Sequence, residues 1–253
     1  MSDPFESSRR KIAWAKHRLA DLKREVSAWV GDKNFYEMFT EPHPDKPQHV
    51  VHKMRVVKQV PDVCFNITGD IVGNLRAALD HAIYDIAVAS GCNKPRNAYF
   101  PFSRDDSTFE ANLKGRCADV PKDIYPLLRS FQPYKGGSEP LWALNEVRVA
   151  NEHIPLTLMG SATFTAGVDV SAIGYWEMPY TPTWDRAKNE MELFTLTPGT
   201  KFKGKFQFGF YIAFGKIGSL EGKSVIPVLD LFVNMVETIL REIETKCREL
   251  RII

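Results

Sequence analysis

The chain has 253 residues, 33 Lys and Arg against 31 Asp and Glu, 44% hydrophobic and 25% charged residues. Those values are near the averages for globular proteins and exclude collagen-like, low-complexity, disulfide-scaffold and disordered classes. A formal net charge of +2 excludes long-range attraction to DNA or an anionic membrane as the main basis of function.

Four cysteines, Cys64, Cys92, Cys117 and Cys247, lie far apart with no CxxC pair or finger spacing, so they read as reduced structural thiols. The N-terminus has charged residues and no apolar h-region, which predicts no signal peptide, and no apolar run approaches the ~20 residues of a membrane span. The expected location is cytoplasmic.

In chain order, Ile12, Ala15, Leu19, Leu22 and Val26 recur at helical steps and predict a helix over residues 4–30, closed by Gly31. Residues 34–60 read as a hairpin around the Pro-rich link Glu41-Pro-His-Pro-Asp-Lys-Pro47. Residues 62–90 form the longest periodic segment, ended by Gly91, and predict a helical spine for the fold. Gly69 and Gly73 inside it suggest a close helix contact. Short helices are expected at Thr108 to Lys114 and Lys122 to Ser130, and a longer one over 139–153 that Pro155 stops. From residue 156 to 214 the period becomes strand-like, with turns of Gly and Pro suggesting an antiparallel meander. Residues 225–250 close the chain as an amphipathic helix. Helices segregated from strands imply a single α+β domain spanning residues 1–253, a bundle of long helices packed with an antiparallel sheet inserted before the C-terminal helix.

On the spine helix, Asp70, Asn74, His81 and Asp85 fall within a stripe of roughly 60° bordering the apolar arc. Asp85, four residues after His81, could fix the imidazole tautomer as a general base or a metal ligand would require. The plainer reading is a network tying the spine to a neighbour. No metal-ligand spacing supports a metal site and no cofactor is implied.

Two segments repeat one spacing: Arg76 with His81, and Arg148 with His153. A histidine that takes the 2′-OH proton and a guanidinium that stabilises the phosphorane suit metal-free RNA cleavage. Five steps along a regular helix, however, separate the two side chains by roughly 140°. The plainer reading pairs Arg76 with Asp80 and Arg148 with Glu152 as four-apart ion pairs.

The strings Asn74-Leu-Arg-Ala-Ala-Leu-Asp-His81, Phe100-Pro-Phe102, Phe131-Gln-Pro-Tyr134, Leu141-Trp-Ala-Leu144 and Asn151-Glu-His153 occur in that order. Together they resemble an uncharacterised bacterial protein family with an NLRxALDH helix, a QPY turn and an LWxL helix followed by a DKHR-type ending. The resemblance covers roughly residues 60 to 160 and implies a fold and candidate positions, not a reaction. Asn151-Glu-His-Ile154 departs from the DKHR pattern and lacks its two cations, while His153 remains. The arginine–histidine spacing more weakly resembles HEPN proteins, helical bundles that often act as metal-independent ribonucleases after dimerising. HEPN motifs usually place a polar residue after the arginine, where this chain has Ala77 and Val149.

The favoured reading is a non-catalytic binding or interaction protein of unknown ligand, with Asp70, Asn74, Asp85 and Asn151 as binding positions and a homodimer among its partners. The alternative is a HEPN-like ribonuclease using Arg76, His81, Arg148 and His153, the only reading in which RNA is a partner. Both leave the membrane aside, and both expect His81 and His153 to meet where two helices cross.

Overall fold

The spine is present as a 28-residue helix, against which the first helix and the C-terminal helix pack. The computed structural model describes residues 3–150, 154–164, 171–173, 176–177, 183–203 and 206–253. Among these are six α-helices: α1 (Glu6–Val30), α2 (Asp62–Ala89), α3 (Asp106–Arg116), α4 (Tyr125–Ser130), α5 (Glu139–Val149) and α6 (Val225–Glu249). The strands are β1 (Tyr36–Pro42), β2 (Val50–Val56), β3 (Ser103–Asp105), β4 (Tyr134–Lys135), β5 (Leu156–Phe164), β6 (Ser171–Ile173), β7 (Trp176–Glu177), β8 (Trp184–Asp185), β9 (Glu190–Leu196), β10 (Lys201–Lys203) and β11 (Phe206–Phe214). The fold is therefore α+β, as the segregated periodicities imply.

α2 forms where apolar residues recur at three- and four-residue steps, and it buries Ile67, Ile71, Leu75, Leu79, Ala82, Ile83 and Ile86. It stops at a left-handed glycine: Gly91 has φ 94°, and the Cys92 N–H reaches back to the Ala87 carbonyl at 3.0 Å. The expected close approach at Gly73 is absent, since a Cβ there would meet nothing within 4 Å.

α1 runs antiparallel to α2, and α6 antiparallel to α1. The second pairing carries a ladder of ions that the apolar pattern did not announce. Arg9, Lys16 and Lys23 meet Glu244, Glu237 and Asp230 in turn, with Lys16–Glu237 at 2.7 Å and Lys23–Asp230 at 2.9 Å. Both series step by seven residues, which keeps the charges on one flank of the contact as in a heptad seam.

The hairpin is present, with β1 and β2 antiparallel from Tyr36↔Val56 to Pro42↔Val50. The meander expected over residues 156–214 is not what the strands form. β9 joins the free edge of β2, extending the hairpin into a five-stranded sheet of order β1-β2-β9-β7, with β8 also on β9. β5 and β11 pair with each other over nine residues. The physical reason lies in β2 and β9. Val51, Met54 and Val56 of β2 are buried, and in β9 only Glu192 is exposed. Such strands need neighbours from outside their own hairpin. Across this join Arg55 holds the buried Glu190 carboxylate at 2.8 Å.

In β11, Phe210 meets Phe35 at 4.8 Å and Phe208 meets Tyr36 at 5.2 Å between ring centroids. The helix expected over 139–153 is helical from Glu139 to Val149, and residues 151–153 lie outside the described residues. No helix among the described residues is long and apolar enough to cross a membrane.

Candidate functional site

The polar stripe on α2 faces α1. Asp70 Oδ2 lies 3.5 Å from Arg18 Nε, and His81 Nδ1 lies 2.6 Å from the Ser7 hydroxyl. Between them the fully buried Ser8 hydroxyl donates to the Ala78 carbonyl at 3.0 Å. Asn74 turns inward on its own helix, its Nδ2 donating to the Asp70 carbonyl at 2.7 Å. These groups fall along one seam because residues three, four, seven and eleven apart return to the same side of a helix.

Asp85 closes the seam beside the first turn of α1. The backbone at Phe5 is left-handed, with φ 69°, and its ring is almost fully buried. Burial pushes the Asp85 carboxyl above its ordinary range, opposed by the Phe5 backbone N–H and by the charges of His81 and Arg9. Its Oδ2 is buried without a hydrogen-bond partner. His81 and Asp85 thus each engage the start of α1, Ser7 for one and Phe5 for the other.

Arg76 lies on another side of the same helix, as the 140° spacing requires. Its Nη1 is 2.5 Å from Asp80 Oδ1, and its guanidinium stacks over the Phe102 ring at 4.2 Å. Asp80 Oδ1 also accepts the Phe100 N–H at 2.9 Å, so Arg76 and Asp80 together hold the Phe100-Pro-Phe102 segment against the spine. The Arg76 side chain is only 12% exposed. Burial holds its guanidinium below the ordinary value, Asp80 opposes that shift, and the nearby charges of Arg116 and Arg148 add to it. Arg148 sits in the last turn of α5, which packs on α2, while the His81 side of α2 is taken by α1.

The structure brings Asp70, Asn74, His81 and Asp85 to one seam of α2, and places Arg76 on another side of that helix. Asn151 and His153 lie outside the described residues, as does Glu152. The expected meeting of His81 with His153 rests on one of those residues; the neighbour found at His81 is Ser7. Sequence reasoning missed Phe5, Ser7 and Phe102 as site residues. Ser7 and Phe5 precede the apolar periodicity, and Phe102 reaches Arg76 only through tertiary folding.

Elsewhere, His43 and His49 approach with ring centroids 6.4 Å apart, and His43 Nδ1 accepts the Asp45 and Lys46 N–H groups. His52 stacks on Phe194 at 4.6 Å. Among the described residues, no three His, Cys, Asp or Glu side chains are grouped to hold a metal ion. Burial raises the thiols of Cys64 and Cys247 to about 11 and that of Cys117 to about 12, which makes them poor nucleophiles.

In comparisons with family models, curated proteins and solved structures, nothing matches this chain.

Proposed function

We propose that this chain is a cytoplasmic, non-catalytic binding or interaction protein, in which the seam of Asp70, Asn74, His81 and Asp85 is architecture. In this reading the NLRxALDH helix is the scaffold shared with the bacterial family it resembles, and the ligand side of the spine is the one that carries Arg76.

The observation that supports it is the separation of the two chemistries. A ribonuclease site needs a base and a guanidinium within reach of one phosphate. His81 is engaged by Ser7 at 2.6 Å on the α1 side, and Arg76 is sandwiched between Asp80 and Phe102 on the other. Neither side chain can turn to the other without abandoning a packed partner.

The second reading, a HEPN-like homodimeric ribonuclease, draws on Arg148, which is exposed and carries the motif spacing to His153. Incubating single-stranded RNA with the wild type, His81→Ala and His153→Ala in EDTA separates the two. The expected outcome is no cleavage by any of the three. Cleavage by the wild type that His153→Ala abolishes would establish the ribonuclease instead.

A further inference from the structure

We propose that the cleft between the end of α3 and α4 binds a small organic phosphate monoester, its phosphate held by Lys114, Lys122 and Arg129. This deepens the binding reading above and rests on it.

The cleft has a volume of about 510 Å³ and is lined by Lys114, Ala118, Lys122, Tyr125, Pro126 and Arg129. Lys114 comes from the last turn of α3, Lys122 from the short turn Lys122–Ile124, and Tyr125, Pro126 and Arg129 from α4. A series of contacts ties it to the Arg76 side of the spine. Asp80, the partner of Arg76, accepts the Phe100 N–H, and the neighbouring Tyr99 N–H donates to the Arg116 carbonyl at 2.9 Å. The Tyr99 carbonyl accepts from Cys117 Sγ at 3.2 Å, and the Cys117 carbonyl accepts the Tyr125 hydroxyl at 2.9 Å.

The balance of charge selects the anion. No Asp or Glu lines the cleft, and Lys114 and Lys122 are exposed and form no ion pair among the described residues. Asp119, beside Ala118, is occupied by the Arg96 and Asn97 N–H groups at 2.7 and 2.8 Å. Arg129 alone has an acidic partner: Glu110 accepts its Nε at 2.6 Å and its Nη2 at 3.0 Å. Three cations against that one carboxylate leave two positive charges. A phosphate monoester carries roughly −1.5 to −2 at neutral pH, whereas a carboxylate or one phosphodiester link carries a single charge.

The volume calls for more than the phosphate itself, since sites for small organic molecules run from roughly 300 to 1,000 Å³. Ala118, Pro126 and Tyr125 supply an uncharged wall for the rest of such a ligand. That wall is already fixed. Tyr125 is buried with its hydroxyl bonded to Cys117, the Arg129 guanidinium lies 5.9 Å from its ring centroid, and Ala118 and Pro126 have no rotamers to order. Glu110 pins Arg129 through two nitrogens and leaves Nη1 without a partner among the described residues. A ligand therefore meets a fixed guanidinium and a fixed wall, and only the two lysines are ordered when it binds.

The test uses the full chain at low ionic strength, titrated calorimetrically with phenyl phosphate, inorganic phosphate, benzoate and a short single-stranded RNA in EDTA. Phenyl phosphate is expected to bind saturably and more tightly than the other three. Lys114→Gln and Lys122→Gln should each weaken it about tenfold or more, the loss of a charged hydrogen bond. Lys33→Gln, in the turn between α1 and β1, should leave it unchanged. Circular dichroism melts of the variants should match the wild type, which separates lost binding from lost structure. The site is overturned if phenyl phosphate shows no saturable binding, if the Lys114 and Lys122 variants bind it as the wild type does, or if inorganic phosphate, benzoate or RNA binds as tightly. RNA cleavage in the same mixture overturns the non-catalytic reading instead, so the two failures are distinguishable.

Discussion

Asp85 shows how one side chain reports on the docking of a helix. Its carboxyl sits against the first turn of α1, burial raises its pKa, and its Oδ2 has no hydrogen-bond partner. Because the folded-state value lies above the unfolded one, the native chain holds the proton more tightly. The stability tied to the neutral acid is fully present below the ordinary carboxylate pKa of about 4 and is lost as pH rises through the raised value. Asp85→Asn keeps the shape and one acceptor for the Phe5 N–H while removing the buried charge. Its urea midpoint should exceed that of the wild type at about pH 7, and the gap should close as pH falls towards about 4. A variant that is weaker at neutral pH, with the deficit shrinking in acid, would mean that Arg9 and His81 outweigh desolvation and that the carboxylate is a working ion.

At the scale of elements, register is the question. Apolar burial fixes that α1, α2 and α6 pack together, but sliding one helix by a turn costs little apolar area; charges at seven-residue steps penalise the slip. The Lys16–Glu237 pair, half exposed on both sides, is worth less than about 1 kcal/mol by itself. Lys16→Glu should therefore lower stability by about 1 kcal/mol or less, through repulsion from Glu237, and adding Glu237→Lys should restore most of it in a double-mutant cycle followed by urea unfolding. Independent losses that simply add would show that the ladder exerts no pairwise force. This contact also marks how far the sequence could be read. α1, α2, α6 and the hairpin are legible because periodicity is a local property, and the seam of Asp70, Asn74, His81 and Asp85 follows from helix geometry. The partners are not legible. Neither Ser7 beside His81 nor Phe102 beneath Arg76 is signalled by its own neighbours in sequence, and β9 joins β2 across a long stretch of intervening chain. The strand pattern of residues 156–214 identified strands but not whom they pair with, because alternation encodes faces and not edges.

For the whole molecule, two effects compete over how it unfolds. A chain of 253 residues is long enough for intermediates to become populated. Against that, the layers are interleaved: β2, from before the spine, is sandwiched between β1 and β9, and the last helix packs on the first. One buried cluster extends from Phe5 to Cys247 and includes Met54 of β2 as well as Leu75 of α2. Neither the sheet nor the bundle keeps a closed core when the other is removed, so interleaving should win. Far-UV circular dichroism, dominated by the helices, and tryptophan fluorescence, to which Trp29 against Phe35 at 4.9 Å contributes among five tryptophans, should give one urea midpoint. Met54→Ala, which empties a fully buried site in β2, should lower stability by about 2–5 kcal/mol and shift both signals together. A fluorescence shift that leaves the helical signal in place would divide the chain into two units, with the sheet melting while the bundle stands.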